Sequence, residues 1–294
     1  MPADAAEPTL SWNLAHDVSE VLEYHFMTNA LLAGGVVAVM AGLVGWMMVT
    51  RREAFAGHTL ATMALPGAAG AALIGAPAAL GYFVFCGAGA AAIAGLSRRR
   101  RSWSEQSAGI GSVQALALAI GFLFVSLYGG VLGDLDGLLF GDLLGVSDAQ
   151  VLVLLGAAAA VLCVLALLAR PLLFASVDPD VAAARGVAVG RLAFGFIVLL
   201  GLAVAATSQI TGVLLVFALL LAPAASAQAL TTRPLLSLTL TVAAGLLIVW
   251  VGLGLAYFSV YPPGFFVATV ATAIYALART FAFARRRLRT RAVA

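Results

Sequence analysis

His58 is the residue whose chemistry contrasts most with its surroundings, lying in the stretch Arg51–Gly67, RREAFAGHTLATMALPG, between two long apolar runs. A neutral imidazole is a good ligand for borderline divalent metals. The position is six residues past Arg52, roughly 9 Å along a helix at about 1.5 Å per residue. Two readings stay open there: an inner metal contact, or an imidazole bonded to a backbone carbonyl. A second feature is Asp178-Pro179-Asp180. Carboxylates and a proline at the first positions of a helix satisfy its N–H groups and favour its dipole; Val181–Arg185, including Ala184, continue the helix and Gly186 can end it. Such a helix between two membrane spans suits a partner's groove, or is a plain surface helix. Gln209, Thr211, Ser226 and Gln228 flank a helix holding Gly212 and Pro223. They are candidates for a polar path, with hydrogen bonding between helices the competing role.

What is missing narrows the chemistry further. A P-loop needs Lys after a Gly-rich turn, and all 16 basic residues of this chain are Arg. Any ATP chemistry therefore belongs to a separate subunit, and the chain is not expected to be an enzyme or to hold a resident cofactor. The apolar spans contain no Asp or Glu, which argues against coupling to an ion gradient through midplane carboxylates. Cys86 and Cys163 stand singly inside apolar runs and read as packing thiols. His16, Glu20 and Glu23 share helical spacing but read as a solvated face.

These groups are carried by a very apolar chain. With 294 residues, 63% of them hydrophobic and 10% charged, and a mean hydropathy of +1.07, it is an integral membrane protein. Spans of roughly 20 apolar residues make it all-α and polytopic; the strands of a barrel would be shorter and alternate with polar residues. Spans are expected near 27–50, 58–75, 77–96 and 109–128, then a fifth closed by Arg170 and Pro171, then near 192–207, 210–230, 235–258 and 265–284. That makes nine, or eight if one is re-entrant, with Pro66, Pro77 and Pro223 marking broken or re-entrant helices. An amphipathic extracytoplasmic segment (1–25), a transmembrane body (26–284) and a basic tail (285–294) follow, with no cleavable signal. Alternating the spans puts every Arg on one side. By the positive-inside pattern that side and the C-terminus are cytoplasmic, and the N-terminus is outside the plasma membrane.

Five stretches in order carry a resemblance: Arg51–Gly67, LFGDLLGV (Leu139–Val146), SVDPDVAAARGV (Ser176–Val187), QITGVLLVFALLLAPAASAQ (Gln209–Gln228) and YPPGFF (Tyr261–Phe266). Together they resemble the integral-membrane permease of ATP-binding-cassette importers for zinc, manganese or iron(II), over nearly the whole chain. The resemblance implies a homodimer or pseudo-dimer with a path between its copies, two cytoplasmic ATPase subunits that bind the ATP, and an extracytoplasmic metal-binding protein that delivers cargo. It implies that Asp178–Gly186 is the helix that docks on the ATPase, and that the outer acids Asp134, Asp136 and Asp142 face the delivery protein. Many members read Gly-Asp-x-Leu-Ser-His where this chain has Gly57-His58-Thr59-Leu60-Ala61-Thr62. The usual acid is thus His58 and the usual His is Thr62, still four apart on one helical face. One imidazole and one hydroxyl bind divalent metal more weakly than an Asp/His pair, so metal passes with few ligands or the cargo differs. The expected function is the permease of an ATP-driven divalent-metal importer, zinc before manganese, with lipid and no nucleic acid around it. The alternatives are an ATP-independent channel or secondary carrier, or a permease for chelated metal such as a siderophore or cobalamin.

Overall fold

A computed structural model describes residues 14–97, 103–128, 141 and 143–291. The acids Asp134, Asp136 and Asp142, and the run Arg98–Arg101, lie outside them. The regular structure in the described residues is helical throughout: α1 Leu14–Glu23, α2 His25–Thr50, α3 Ala54–Thr62, α4 Ala64–Leu73, α5 Ala78–Ser97, α6 Trp103–Tyr128, α7 Asp148–Val177, α8 Pro179–Ala184, α9 Val189–Leu230, α10 Pro234–Tyr257 and α11 Pro263–Arg291.

Among the described residues seven stretches are long and apolar enough to cross a membrane: α2, α5, α6, α7, the Val189–Val213 part of α9, α10 and α11. Two shorter apolar pieces complete the pattern of nine expected from the sequence: Leu215–Leu230 of α9 and the α3–α4 pair. The pair divides at Met63 because Pro66 has no N–H to give to the Thr62 carbonyl, and its ring crowds that oxygen.

The two parts of α9 run in opposite directions. Phe196, near its start, lies under the Arg51 guanidinium at 5.2 Å, while Gln228, near its end, donates to the Trp46 carbonyl and to Thr50 Oγ1 at 3.0 and 3.1 Å. A straight helix would hold residues 196 and 228 about 48 Å apart. The reversal is at Gly212, whose φ of 67° and ψ of 175° are open essentially to glycine alone. Gly141, itself at φ 73°, packs onto the backbone of residues 210–212 so closely that a Cβ at 141 would have no room. The sequence placed this boundary a few residues earlier, before Gln209.

α2 is the most buried of the seven spans and packs against α9, α10 and α7; α9 also meets α3, α5 and α11. Their contact surface is rich in small residues, Ala30, Ala33, Ala38 and Ala41 among them, which lets backbones approach where no hydrophobic force drives association. The two ends of the bundle are distinguished by contacts. One end gathers Thr50, Arg51, Phe196, Gln228 and the Trp46–Ser237 hydrogen bond (2.8 Å); the other holds His25 beside Asp148 and Tyr24 beside Tyr257.

Two expectations are corrected. Pro171 does not close the fifth span: α7 runs through it to Val177, since an internal proline removes a single ladder bond that a packed helix tolerates. Cys163 is not a core thiol but lies on an outward face of α7, whereas Cys86 is buried with its thiol 3.6 Å from the Leu60 carbonyl. The last candidate span ends at Arg285, and α11 continues as helix beyond it to Arg291.

Candidate translocation and coupling sites

α3 brings His58 half-buried against the second part of α9, its ring edge-on to Phe217 with centroids 4.9 Å apart. Thr62, four residues on, donates to the Thr59 carbonyl at 2.7 Å. Thr59 is fully buried and its hydroxyl lies 3.2 Å from Gln114 Oε1 of α6. The spacing thus gives one imidazole and two hydroxyls along about one turn of helix, with an amide beside them. Thr59 and Gln114 were not singled out from the sequence, where a threonine and a glutamine inside apolar runs carry no distinguishing pattern. Among the described residues no group of three or more His, Cys, Asp or Glu is placed to hold a metal ion. The α3 set can therefore offer a passing cation a weak contact but not a cage.

Just before α3 lies a pair that the sequence reading passed over. Arg51 grips Glu53 Oε1 through Nε at 3.2 Å and Nη2 at 3.0 Å, with both side chains largely buried. Burial pushes the Glu53 carboxyl above the ordinary carboxylate range, and the Arg51 charge and hydrogen bond pull it back only in part. Its Oε2 is buried with no hydrogen-bond partner among the described residues. No local pattern marks the pair, because Arg-x-Glu after a span is also an ordinary loop sequence and what buries it comes from α7 and α9.

α8 forms as its sequence demands. Asp178 Oδ1 accepts from the Val181 N–H at 3.0 Å, Pro179 takes the first helical position, Asp180 follows, and Gly186 leaves the helix at φ 84°. Only Ala182 is buried; Asp178, Pro179, Asp180, Ala184, Arg185 and Gly186 are exposed. The helix lies at the Arg-bearing end of the bundle, between α7 and α9.

The four polar residues of α9 are dispersed. Thr211 and Ser226 turn their hydroxyls onto their own helix, to the Thr207 carbonyl at 3.0 Å and the Ala222 carbonyl at 2.6 Å. Gln228 ties α9 to α2, and Gln209 is half-buried beside the Gly212 reversal. At the opposite end of the bundle, Asp148 Oδ1 accepts from Asn29 Nδ2 at 2.6 Å and meets His25 Nε2 at 2.9 Å, joining α2 to α7. Glu20 Oε1 lies 3.4 Å from the Tyr257 hydroxyl, a contact between α1 and α10.

Residues 23–282 match the profile of the ABC 3 transport family. The chain belongs to that family. Among its curated relatives, the manganese transport system membrane protein MntC of Halalkalibacterium halodurans is 32% identical over 92% of this chain and 91% of its own. The manganese import system permease protein ScaB of Streptococcus parasanguinis is 31% identical over 79% and 84%. The solved structure of PsaBC from Streptococcus pneumoniae in complex with Fab superposes with a TM-score of 0.78 at 27% identity, covering 90% of this chain and 95% of that one. The family assignment accords with the resemblance read from the five motifs, and the helical fold is shared with that solved structure.

Proposed function

We propose that this chain is the permease subunit of an ATP-binding-cassette importer for divalent metal ions, driven by a separate cytoplasmic ATPase and fed by an outer metal-binding protein. One observation carries the reading: α8 is a short, capped, exposed helix at the Arg-bearing end, held between two spans, in a chain without lysine for nucleotide chemistry of its own. By the positive-inside pattern that end is cytoplasmic, the membrane is the plasma membrane and the N-terminus is outside. Two copies enclose the path. Metal released at the outer face passes His58 and Thr62, whose weak donors suit conduction, because a path must let go of its ion. Closure of the ATPase moves α8 and switches access. For the cargo, the names of the relatives favour manganese, while the order expected from the sequence put zinc first; both are first-row divalent ions that an imidazole and hydroxyls can accompany.

The test is copurification. A nucleotide-binding ATPase should come away with this chain from mild detergent, and Arg185→Glu should lose most of it while leaving the chain inserted. A wild-type chain that purifies alone yet carries metal without ATP would contradict the reading in favour of a channel or carrier.

A further inference from the structure

Arg51 does more than hold Glu53. Its Nη1 lies 3.4 Å from Ser176 Oγ in the last turn of α7, and its Cζ sits 5.2 Å over the Phe196 ring in the first turns of α9. Those are the two arms that hold α8, one on each side of it. A single guanidinium thus touches both arms, and its other nitrogens are fixed to the residue from which α3 starts.

The connection to α3 has no slack. Only three residues separate α2 from α3, and each of their N–H groups is bonded back to α2: Arg51 to the Met47 carbonyl at 2.9 Å, Arg52 to Val49 at 3.0 Å and Glu53 to Met48 at 3.0 Å. Arg52 takes φ 59°, a region non-glycine residues rarely enter, so the turn is held rather than loose. The Glu53 carbonyl accepts from Gly57 at 3.0 Å, the first bond of α3, and His58 is the next residue. From there the ring reaches Phe217 beyond the reversal of α9.

We infer that Arg51 and Glu53 form a relay that carries movement of α8 and its two arms into α3, the helix that bears His58. The inference rests on the reading of α8 as the ATPase-docking helix. Contact alone does not make a coupling path; what favours one here is a buried charge pair bridging four pieces of backbone whose separation must change together. The pair is engaged through one carboxylate oxygen, the other is buried without a hydrogen-bond partner among the described residues, and Glu53 lines a cleft of about 110 Å³ with Gln106, so the carboxylate has a second oxygen with which to shift its grip as the arms move.

The experiment uses the full complex with its ATPase in proteoliposomes, reading ATP hydrolysed and manganese or zinc carried in the same samples. Arg51→Met is expected to lower metal carried per ATP about fivefold, with ATPase association unchanged. The swapped pair Arg51→Glu with Glu53→Arg is expected not to restore it, because an Arg at 53 no longer spans Ser176 and Phe196. Restoration by the swap would overturn the relay, since it would mean that charge balance alone is needed. An unchanged ratio in Arg51→Met also overturns it. Should that variant not assemble, Phe196→Leu decides, with a fall of about twofold expected and an unchanged ratio contradicting the inference. A wild-type complex that carries neither metal defeats the importer reading itself, an outcome distinct from any of these.

Discussion

At the scale of single residues, the site is notable for how little it offers a metal. His58 packs on an aromatic edge, and Thr62 spends its proton on a carbonyl of its own helix. If His58 touches passing metal, His58→Ala should raise the concentration for half-maximal uptake about tenfold; uptake unchanged at limiting metal would remove it from the path. Thr62→His would set two imidazoles four residues apart on one face, and should bind zinc tightly while slowing turnover, measurable as equilibrium binding against uptake rate. Glu53 gives a pH signature. Its carboxyl is raised by burial, so the folded state holds the proton more tightly than the unfolded chain does. That stabilisation is fully present below the unfolded-state pKa and is lost as pH rises through the folded-state value. Thermal stability in detergent should therefore decline with rising pH across that window, and Glu53→Gln should flatten the decline.

At the scale of elements, the reversal of α9 makes two spans from one unbroken apolar stretch. Its test is Gly212→Ala, expected to cost about 1–3 kcal/mol because the conformation there admits essentially glycine alone. Gly190→Ala, in open space near the start of α9, is the control and should leave the thermal midpoint near wild type. Most elements were legible because hydrophobic length alone delimits a span, and Asp178-Pro179 declares a helix start wherever it stands. Pro171 misled because a proline stops an exposed helix but only kinks a packed one. The position of the reversal depends on Gly141, some seventy residues away in sequence, which no local pattern announces. Arg51 and Glu53 looked like ordinary loop charges for the same reason: what buries them is the closure of α7 and α9 over the turn.

At the scale of the whole molecule, the proposed sidedness of the bundle and its proposed place in an ATP-driven complex can be tested together. Cysteine introduced at exposed Val260 should react with a membrane-impermeant maleimide in intact cells, and cysteine at Ala183 in α8 only after permeabilisation. The reverse pattern would put α8 on the wrong side for an ATPase. Divalent-metal import is tested by measuring total cell manganese, zinc and iron by mass spectrometry under metal limitation. The comparison is between cells lacking this chain, cells with it restored, and cells carrying Arg185→Glu. A selective fall in manganese or zinc that the wild-type chain reverses and Arg185→Glu does not is the expected result. Equal restoration by both chains would contradict coupling through α8, and no change in any of the three metals would contradict a divalent-metal cargo.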